Sequence, residues 1–180
     1  LTLEDRDTSD ADNASRLIDV HGDVVRFVPP WKKWLVFSHD EQRWIRDDGN
    51  VHVYELAKCV GMKLKADAAK IAERDRSNEK FKHGLKSLSR AGIESMVKLA
   101  RGNKGIPLDH ELLDAHPWLL GVKNGLLDLK SGKLRPATPE DLMMMQCAVA
   151  FDPSAECPRW DKAMEEWFPD EALRSYVQRV

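Results

Sequence analysis

Cysteine is scarce in this 180-residue chain: Cys59, Cys147 and Cys157 are the three present, and no two of them form a C-x-x-C pair. That spacing excludes a disulfide framework and a Cys-rich zinc site as organising devices. Long apolar runs are missing too. The longest, Cys147 to Phe151, is five residues, whereas a membrane helix needs about 20. The opening stretch LTLEDRDTSD is acidic and polar, where a secretory signal would be basic and then apolar, so the chain is expected to be a cytoplasmic, non-membrane protein. No G-x-G-x-x-G, G-x-S-x-G or H-E-x-x-H occurs, and with them go the usual parts for dinucleotide binding, the hydrolase elbow and zincin chemistry. The nearest approach to a phosphate loop runs from Gly125 to Gly132-Lys133-Leu134, with six residues between its glycines and a Leu after the Lys. The loop requires four, then a Ser or Thr to ligate magnesium, so this stretch reads as a β-turn.

What is present describes one ordinary domain: 42% apolar and 32% charged residues, with a formal net charge of −2. A domain of this size buries roughly 70% of the surface of its unfolded chain, enough for a core without metal or disulfide. The small net charge conceals an uneven distribution. Residues 62–104 hold twelve basic residues against five acidic ones, a local charge of +7 that leaves −9 on the rest. A basic centre within an acidic remainder is a candidate polyanion-binding surface confined to one face.

The pattern along the chain predicts an α+β fold: central basic helices, an N-terminal β-hairpin, a small C-terminal β-meander and terminal helices. Residues 1–10 read as a flexible arm and 11–180 as a single domain. Asp10 or Asp12 opens a short helix through Val20 with Leu17 and Ile18 inward. Val24 to Arg46 alternates and is rich in Val, Phe and Trp, giving strands around a turn at Asp40-Glu41 that would set Phe37 opposite Trp44. Trp34 and Trp44 are expected to point inward. Leu56, Val60, Leu64, Ala68 and Ile71 recur at helical spacing, predicting a helix from Tyr54 to about Arg76. Ser77 would cap a second helix whose stripe is Phe81, Leu85, Leu88, Met96 and Leu99 or Ala100, ending at Gly102. On that helix Lys82, Lys86 and Arg90, four apart, form one cationic ridge rising about 6 Å per step. Further on, Asn124-Gly125 and Ser131-Gly132 mark the turns of the meander, Pro139 to Asp141 a helical turn, and Cys147 to Phe151 a strand. Two amphipathic helices, 158–168 and 171–180, finish the chain. The last lacks a stop signal, so the sequence is expected to be a fragment of a longer protein.

Asp10 and Asp12 are two apart, a spacing at which strand carboxylates hold a catalytic metal, but they precede Asn13-Ala14-x-Arg16 at a helix start, where capping and the helix dipole favour Asp. The six histidines, His110 and His116 among them, lack ligand spacing. No catalytic or metal residue is therefore assigned. Arg26-Phe27-x-x-x-Trp31-Lys32-Lys33-Trp34 interleaves rings with cations, the working parts of a single-strand surface on which each stacked base is worth about 1–3 kcal/mol. The candidate nucleic-acid residues are Lys82, Lys86, Arg90, Lys63, Lys70 and Arg74 on the central helices, with Arg26, Trp31, Lys32 and Lys33 at the hairpin.

The stretch Asp10-Ala11-Asp12-Asn13-Ala14-x-Arg16, then His21-Gly22-Asp23, then Arg26-Phe27-Val28-Pro29-Pro30-Trp31-x-x-Trp34-Leu35-Val36-Phe37 and Arg43-Trp44, resembles the opening of the domain preceding the helicase in phage and plasmid primase-helicases. Poxvirus primase-helicases carry a related domain. The second half agrees better: Trp118-Leu119-Leu120, Asn124-Gly125-x-Leu127-Asp128-Leu129-x-x-Gly132-x-Leu134-x-Pro136, Pro139-Glu140-Asp141, Phe151-Asp152-Pro153-x-Ala155-x-Cys157-Pro158-x-Trp160 and Tyr176-Val177-Gln178-Arg179. Asp40-Glu41 departs from the family, which usually has a Gly-containing turn there. The resemblance implies a non-catalytic helper that supports assembly of a superfamily III helicase ring and helps hold DNA during replication. It implies single-stranded or forked DNA as partner, the adjacent helicase and primase domains as neighbours, and a hexameric ring only with the helicase attached. No cofactor is implied for this stretch; ATP and magnesium would belong to the helicase domain. A protein-interaction module without DNA contact, and a metal-dependent primase or nuclease using Asp10 and Asp12, are the alternatives.

Overall fold

Ser9 caps the first helix of the computed structural model, which describes residues 8–71 and 74–178. The Ser9 hydroxyl accepts the Asp12 amide at 3.1 Å and α1 runs Asp10–His21, so the cap lies one residue ahead of the expected Asp10. Of the predicted arm, residues 1–7 lie outside the described residues. The described residues divide into two compact units that meet between 150 and 151.

In the first unit, β1 (Val25–Val28), β2 (Lys33–Ser38) and β3 (Arg43–Asp47) form an antiparallel sheet in sequence order. Phe37 pairs with Trp44 in the expected register, although the loop spans four residues, 39–42, with Gln42 at φ 53. The two rings meet edge-on at 5.7 Å. Alternation along β2 sends Trp34 to a core shared with the helices and Leu35 and Phe37 to a second core on the opposite face. Trp34 and Trp44 are both fully buried. Burial of about 200 Å² per ring contributes roughly 5 kcal/mol each before entropic costs.

Asp47 then starts the next helix from a distance. Its buried carboxylate accepts the amides of His52 at 3.0 Å and Val53 at 2.9 Å across a 3₁₀ turn, closing the N-terminus of α2 (Val51–Ala68). α3 (Arg74–Ser87) and α4 (Arg90–Ala100) follow. Four expectations are corrected here. The helix predicted to reach Arg76 ends at Ala68; Ser77 is no cap but lies inside α3, donating to Ala68 O at 2.9 Å. The second predicted helix is broken at Leu88-Ser89, where Ser89 caps α4 by accepting the Gly92 amide at 3.1 Å. Phe81 and Leu85, expected inward, are 38% and 47% exposed; α3 buries Gly84 and Ser87 instead.

That small-residue face lets α3 approach α2 closely. A Cβ on Gly84 would lie 2.9 Å from Lys65 N, and one on Gly61 would lie 2.7 Å from Leu88 Cδ2. The pairings 84 with 65 and 88 with 61 make the two helices antiparallel. A buried polar network ties α1 to α3: Asn13 Nδ2 donates to Ser87 Oγ at 2.8 Å, Arg16 Nη1 donates to Asn13 Oδ1 at 3.1 Å, and His83 Nε2 reaches the same oxygen at 3.1 Å. Ser95 Oγ donates to Asp10 at 2.9 Å and joins α4 to α1.

The meander follows as read: β4 (Leu119–Val122), β5 (Gly125–Asp128) and β6 (Lys133–Arg135) pair antiparallel, with Gly125 at φ 147 and Gly132 at φ 68 in the turns. Pro139–Asp141 is a 3₁₀ turn closed by a capping box with Thr138. Cys147 to Phe151 is not a strand. It runs beside β4 with the Cys147 amide donating to Gly121 O at 2.8 Å and the Lys123 amide to Val149 O at 3.1 Å, too few bonds for a ladder. In the second unit α5 (Pro158–Trp167) begins on a proline, and α6 (Glu171–Val177) is capped by Asp170, which accepts the Leu173 amide at 2.9 Å. The fold is α+β, with six α-helices and two three-stranded antiparallel sheets among the described residues.

Candidate nucleic-acid interface

The break at Leu88-Ser89 divides the predicted ridge. Lys82 and Lys86 stay one turn apart and exposed on α3, while Arg90 belongs to the first turn of α4 and is bound to Glu94 at 2.8 Å. That pairing also raises the Arg90 pKa from its ordinary value. Lys63 on α2 and Arg74 at the start of α3 are exposed, whereas Lys70 forms an ion pair with Asp67 at 2.8 Å. Lys82, Lys86, Lys63 and Arg74 have no ion pair among the described residues. Of the candidate cations on the central helices, these four are the ones no described carboxylate pairs with.

The hairpin cluster is split by strand alternation. Phe27 and Trp34 pack edge-to-face in the core at 5.4 Å. Arg26 is half-buried: Nη1 donates to Gly22 O and, at 2.7 Å, to Val25 O, and its guanidinium lies 5.4 Å from the Trp44 ring centre. Burial lowers its pKa. Lys33 is bound to Asp48 at 2.8 Å. Only Trp31 and Lys32 reach the tip between β1 and β2; the Trp31 ring is 38% exposed and rests edge-on against His110 at 5.7 Å. Lys32 has φ 54 there.

Two residues outside the sequence's candidate binding set, Phe81 having been expected in the core, join the helical face. Lys65 Nζ stands 5.5 Å from the centre of the exposed Phe81 ring, a cation beside a stacking surface. With Gly84 and Ser87 inward, a helix spacing of 100° per residue turns position 81 toward the edge, which the apolar stripe in the sequence did not reveal. Arg16 and Lys80 are also brought together, with Lys63, around a cavity between α1, α2 and α3.

The sites considered for other chemistry have structural duties. Asp10 and Asp12 occupy the first turn of α1, where Asp12 accepts the Ser9 hydroxyl at 2.5 Å and Asp10 accepts Ser95. Being two apart on a helix they diverge by about 200°. No group of three or more His, Cys, Asp or Glu among the described residues could hold a metal ion. At the phosphate-loop near-miss, the amides of Lys130 and Ser131 donate to Asp128 Oδ1 at 2.8 and 3.1 Å. Those bonds hold the Asp128 carboxyl below its usual range and occupy donors that a phosphate would need, so the residues do not fit a nucleotide triphosphate. No described helix is long and apolar enough to cross a membrane.

The geometry defines an α+β domain in which two closely packed antiparallel helices, α2 and α3, carry exposed Lys63, Arg74, Lys82 and Lys86. A family model described as "D5 N terminal like" matches residues 14–169. Matched over most of its length, the chain belongs to that family, the N-terminal domain of D5-like primase-helicase proteins. No curated protein matches it. The family agrees with the resemblance to phage and plasmid primase-helicases drawn from the residues.

Proposed function

We propose that this chain is a non-catalytic domain of a replicative primase-helicase that holds single-stranded or forked DNA on α2 and α3 and supports assembly of the helicase ring. The observation carrying the DNA reading is selective pairing of charge. Lys33, Lys70 and Arg90 are held by carboxylates, while Lys63, Arg74, Lys82 and Lys86 remain exposed without an ion pair among the described residues. In this reading ATP and magnesium serve the adjoining helicase domain, and the whole works in the host cytoplasm. Four phosphate contacts on a single strand give a slope of log K against log salt of about −3. Anisotropy titrations of a labelled oligonucleotide measure that slope, and the Lys82→Ala/Lys86→Ala double variant should flatten it by about 1.4. Binding that ignores salt, or a double variant with the parental slope, overturns the reading.

Ring support rests on a different observation. In the C-terminal unit Trp160 and Trp167 on α5 and Leu173, Tyr176 and Val177 on α6 are exposed by 38 to 66%. Such large apolar side chains favour a protein contact, here with the adjoining helicase domain. Trp160→Ala/Trp167→Ala in a chain carrying its helicase should weaken assembly in sedimentation velocity while leaving oligonucleotide affinity of the domain unchanged.

A further inference from the structure

Phe81 stands at the surface because α3 turns smaller residues inward. Gly84 lies about 60° round the helix from Phe81 and Ser87 about 120° in the same sense. Gly84 closes on the backbone of Lys65 in α2, and Ser87 accepts a bond from Asn13 in α1. The ring is left at the outer edge of the seam between α2 and α3, 38% exposed, with Lys65 Nζ 5.5 Å from its centre. Round the helix in the opposite sense, away from α1, Arg74 and Leu85 lie about 20° and 40° from Phe81, Lys82 about 100° and Lys86 about 140°. All four are exposed. Asp75 and Glu79 share that outward arc, at about 120° and 160°. With Lys65, four cations therefore stand against two acids around one exposed aromatic ring.

We propose that Phe81 is a stacking platform for one unpaired base of a bound single strand, with the phosphates beside that base at Lys65 and Lys82. The inference rests on the reading of α2 and α3 as the DNA face and deepens it, adding a base contact to the backbone contacts. An aromatic ring at the surface with cations at its edges supplies both halves of single-strand binding: a face for the base and charge for the backbone. A protein partner fits this surface less well. Its contact would bury about 800 Å² a side around a centre depleted of charge, whereas here two apolar side chains, Phe81 and Leu85, stand among cations. Phosphate contacts alone would treat single and double strands alike in kind. The ring separates them, because a base within a duplex already has both faces stacked.

The test compares Phe81→Leu, which keeps an apolar side chain and removes the ring, with Phe81→Trp, which enlarges the ring. Both are made in the full 180-residue chain and checked for fold by circular dichroism. In anisotropy titrations with a dT oligonucleotide, Phe81→Leu should lower affinity about fivefold or more, the loss of one stacked base. Its slope of log K against log salt should match the parent's, because no phosphate contact is removed. Phe81→Trp should bind at least as tightly as the parent. An oligonucleotide of the same length with abasic sites throughout keeps the phosphates, and with it Phe81→Leu and the parent should agree within about twofold; the same holds for a blunt duplex. If Phe81→Leu binds dT as the parent does, or loses dT and abasic affinity equally, the stacking site is overturned while DNA binding stands. Polyglutamate that competes with the dT strand at equal charge, and does so less well in Phe81→Leu, overturns it in favour of an acidic protein segment. If the parent chain binds no strand at low salt, the DNA reading itself fails.

Discussion

Replacing Gly84 with alanine tests the packing that holds α2 and α3 together. The added Cβ would lie 2.9 Å from Lys65 N and 3.0 Å from Lys65 Cα, both backbone atoms of α2. Helix backbone cannot rotate aside, so α3 must retreat by a few tenths of an ångström along its contact. Two effects oppose each other. Alanine in a helix interior gains about 1 kcal/mol over glycine, while overpacking of a tight contact costs about 1–3 kcal/mol. The expected balance is a loss of about 1 kcal/mol. With a urea dependence of about 2 kcal/mol per molar, the unfolding midpoint should fall by roughly 0.5 M. Gly61→Ala is the comparator. Its Cβ would meet Leu88 at Cδ2 and Cγ, 2.7 and 2.9 Å away, and that side chain can change rotamer, so the gain and cost nearly cancel. Urea unfolding followed by far-ultraviolet circular dichroism measures both variants. A Gly84→Ala chain at least as stable as the Gly61→Ala chain would refute the close approach.

Two further outcomes follow from the buried groups. Trp44 Nε1 donates to Pro139 O at 2.9 Å, whereas Trp34 Nε1 is buried with no hydrogen-bond partner among the described residues. Phenylalanine at 44 leaves a carbonyl unpaired and at 34 relieves an unpaired donor, so Trp44→Phe should cost more than Trp34→Phe, by about 1 kcal/mol, in urea unfolding; equal losses would contradict the assigned bonds. Acid should destabilise the fold in two steps. Burial depresses the pKa of His83 and of His21 below 6.5, with Arg16 and Lys63 respectively adding positive charge nearby. The unfolded chain then binds the proton more readily, so stability is complete above about pH 6.5 and falls as pH drops through the lowered values. Asp141 is held below its usual range chiefly by its bond to Arg135, and its contribution is lost later, below about pH 4. Urea midpoints across pH 8 to 3 test both steps, and a midpoint that rises between pH 7 and 5.5 would refute the first.

Local chemistry made parts of the fold legible. Asn124-Gly125 and Ser131-Gly132 announced the meander because its turns need residues that accept positive φ, and they adopt it at Gly125 and Gly132. The spacing about Asp40-Glu41 set Phe37 opposite Trp44 because strand pairing counts residues in twos. Helix boundaries were harder. Asp67-Ala68-Ala69-Lys70-Ile71 has good helix formers and no glycine or proline, so nothing local stops α2 at Ala68. Likewise Leu88-Ser89 carries no strong breaker, although Ser89 proves to be a cap. The apolar run Cys147 to Phe151 had strand composition, but beside β4 it makes only scattered backbone bonds. For the candidate site, the sequence identified the cations and not their partners. Arg90 and Glu94 are one helical turn apart and their pairing was readable; Lys33 with Asp48 depends on the hairpin bringing strand ends together.

The sequence by itself determined most of the elements, their α+β class, the excess of positive charge in the central helices and the absence of familiar catalytic spacing, all of which depend on neighbours within a few residues. Tertiary structure decided what those elements do to one another. It turned one predicted helix into α3 and α4, because antiparallel return against α2 buries Gly84 and Ser87 where an aliphatic stripe was expected. It sorted the hairpin aromatics into core and tip, and it chose which lysines stay unpaired. It also made the cavity, whose lining comes from α1, α2, α3 and the residues flanking them and spans positions 8 to 83. Such a site depends on distances between helices, which sequence spacing does not encode.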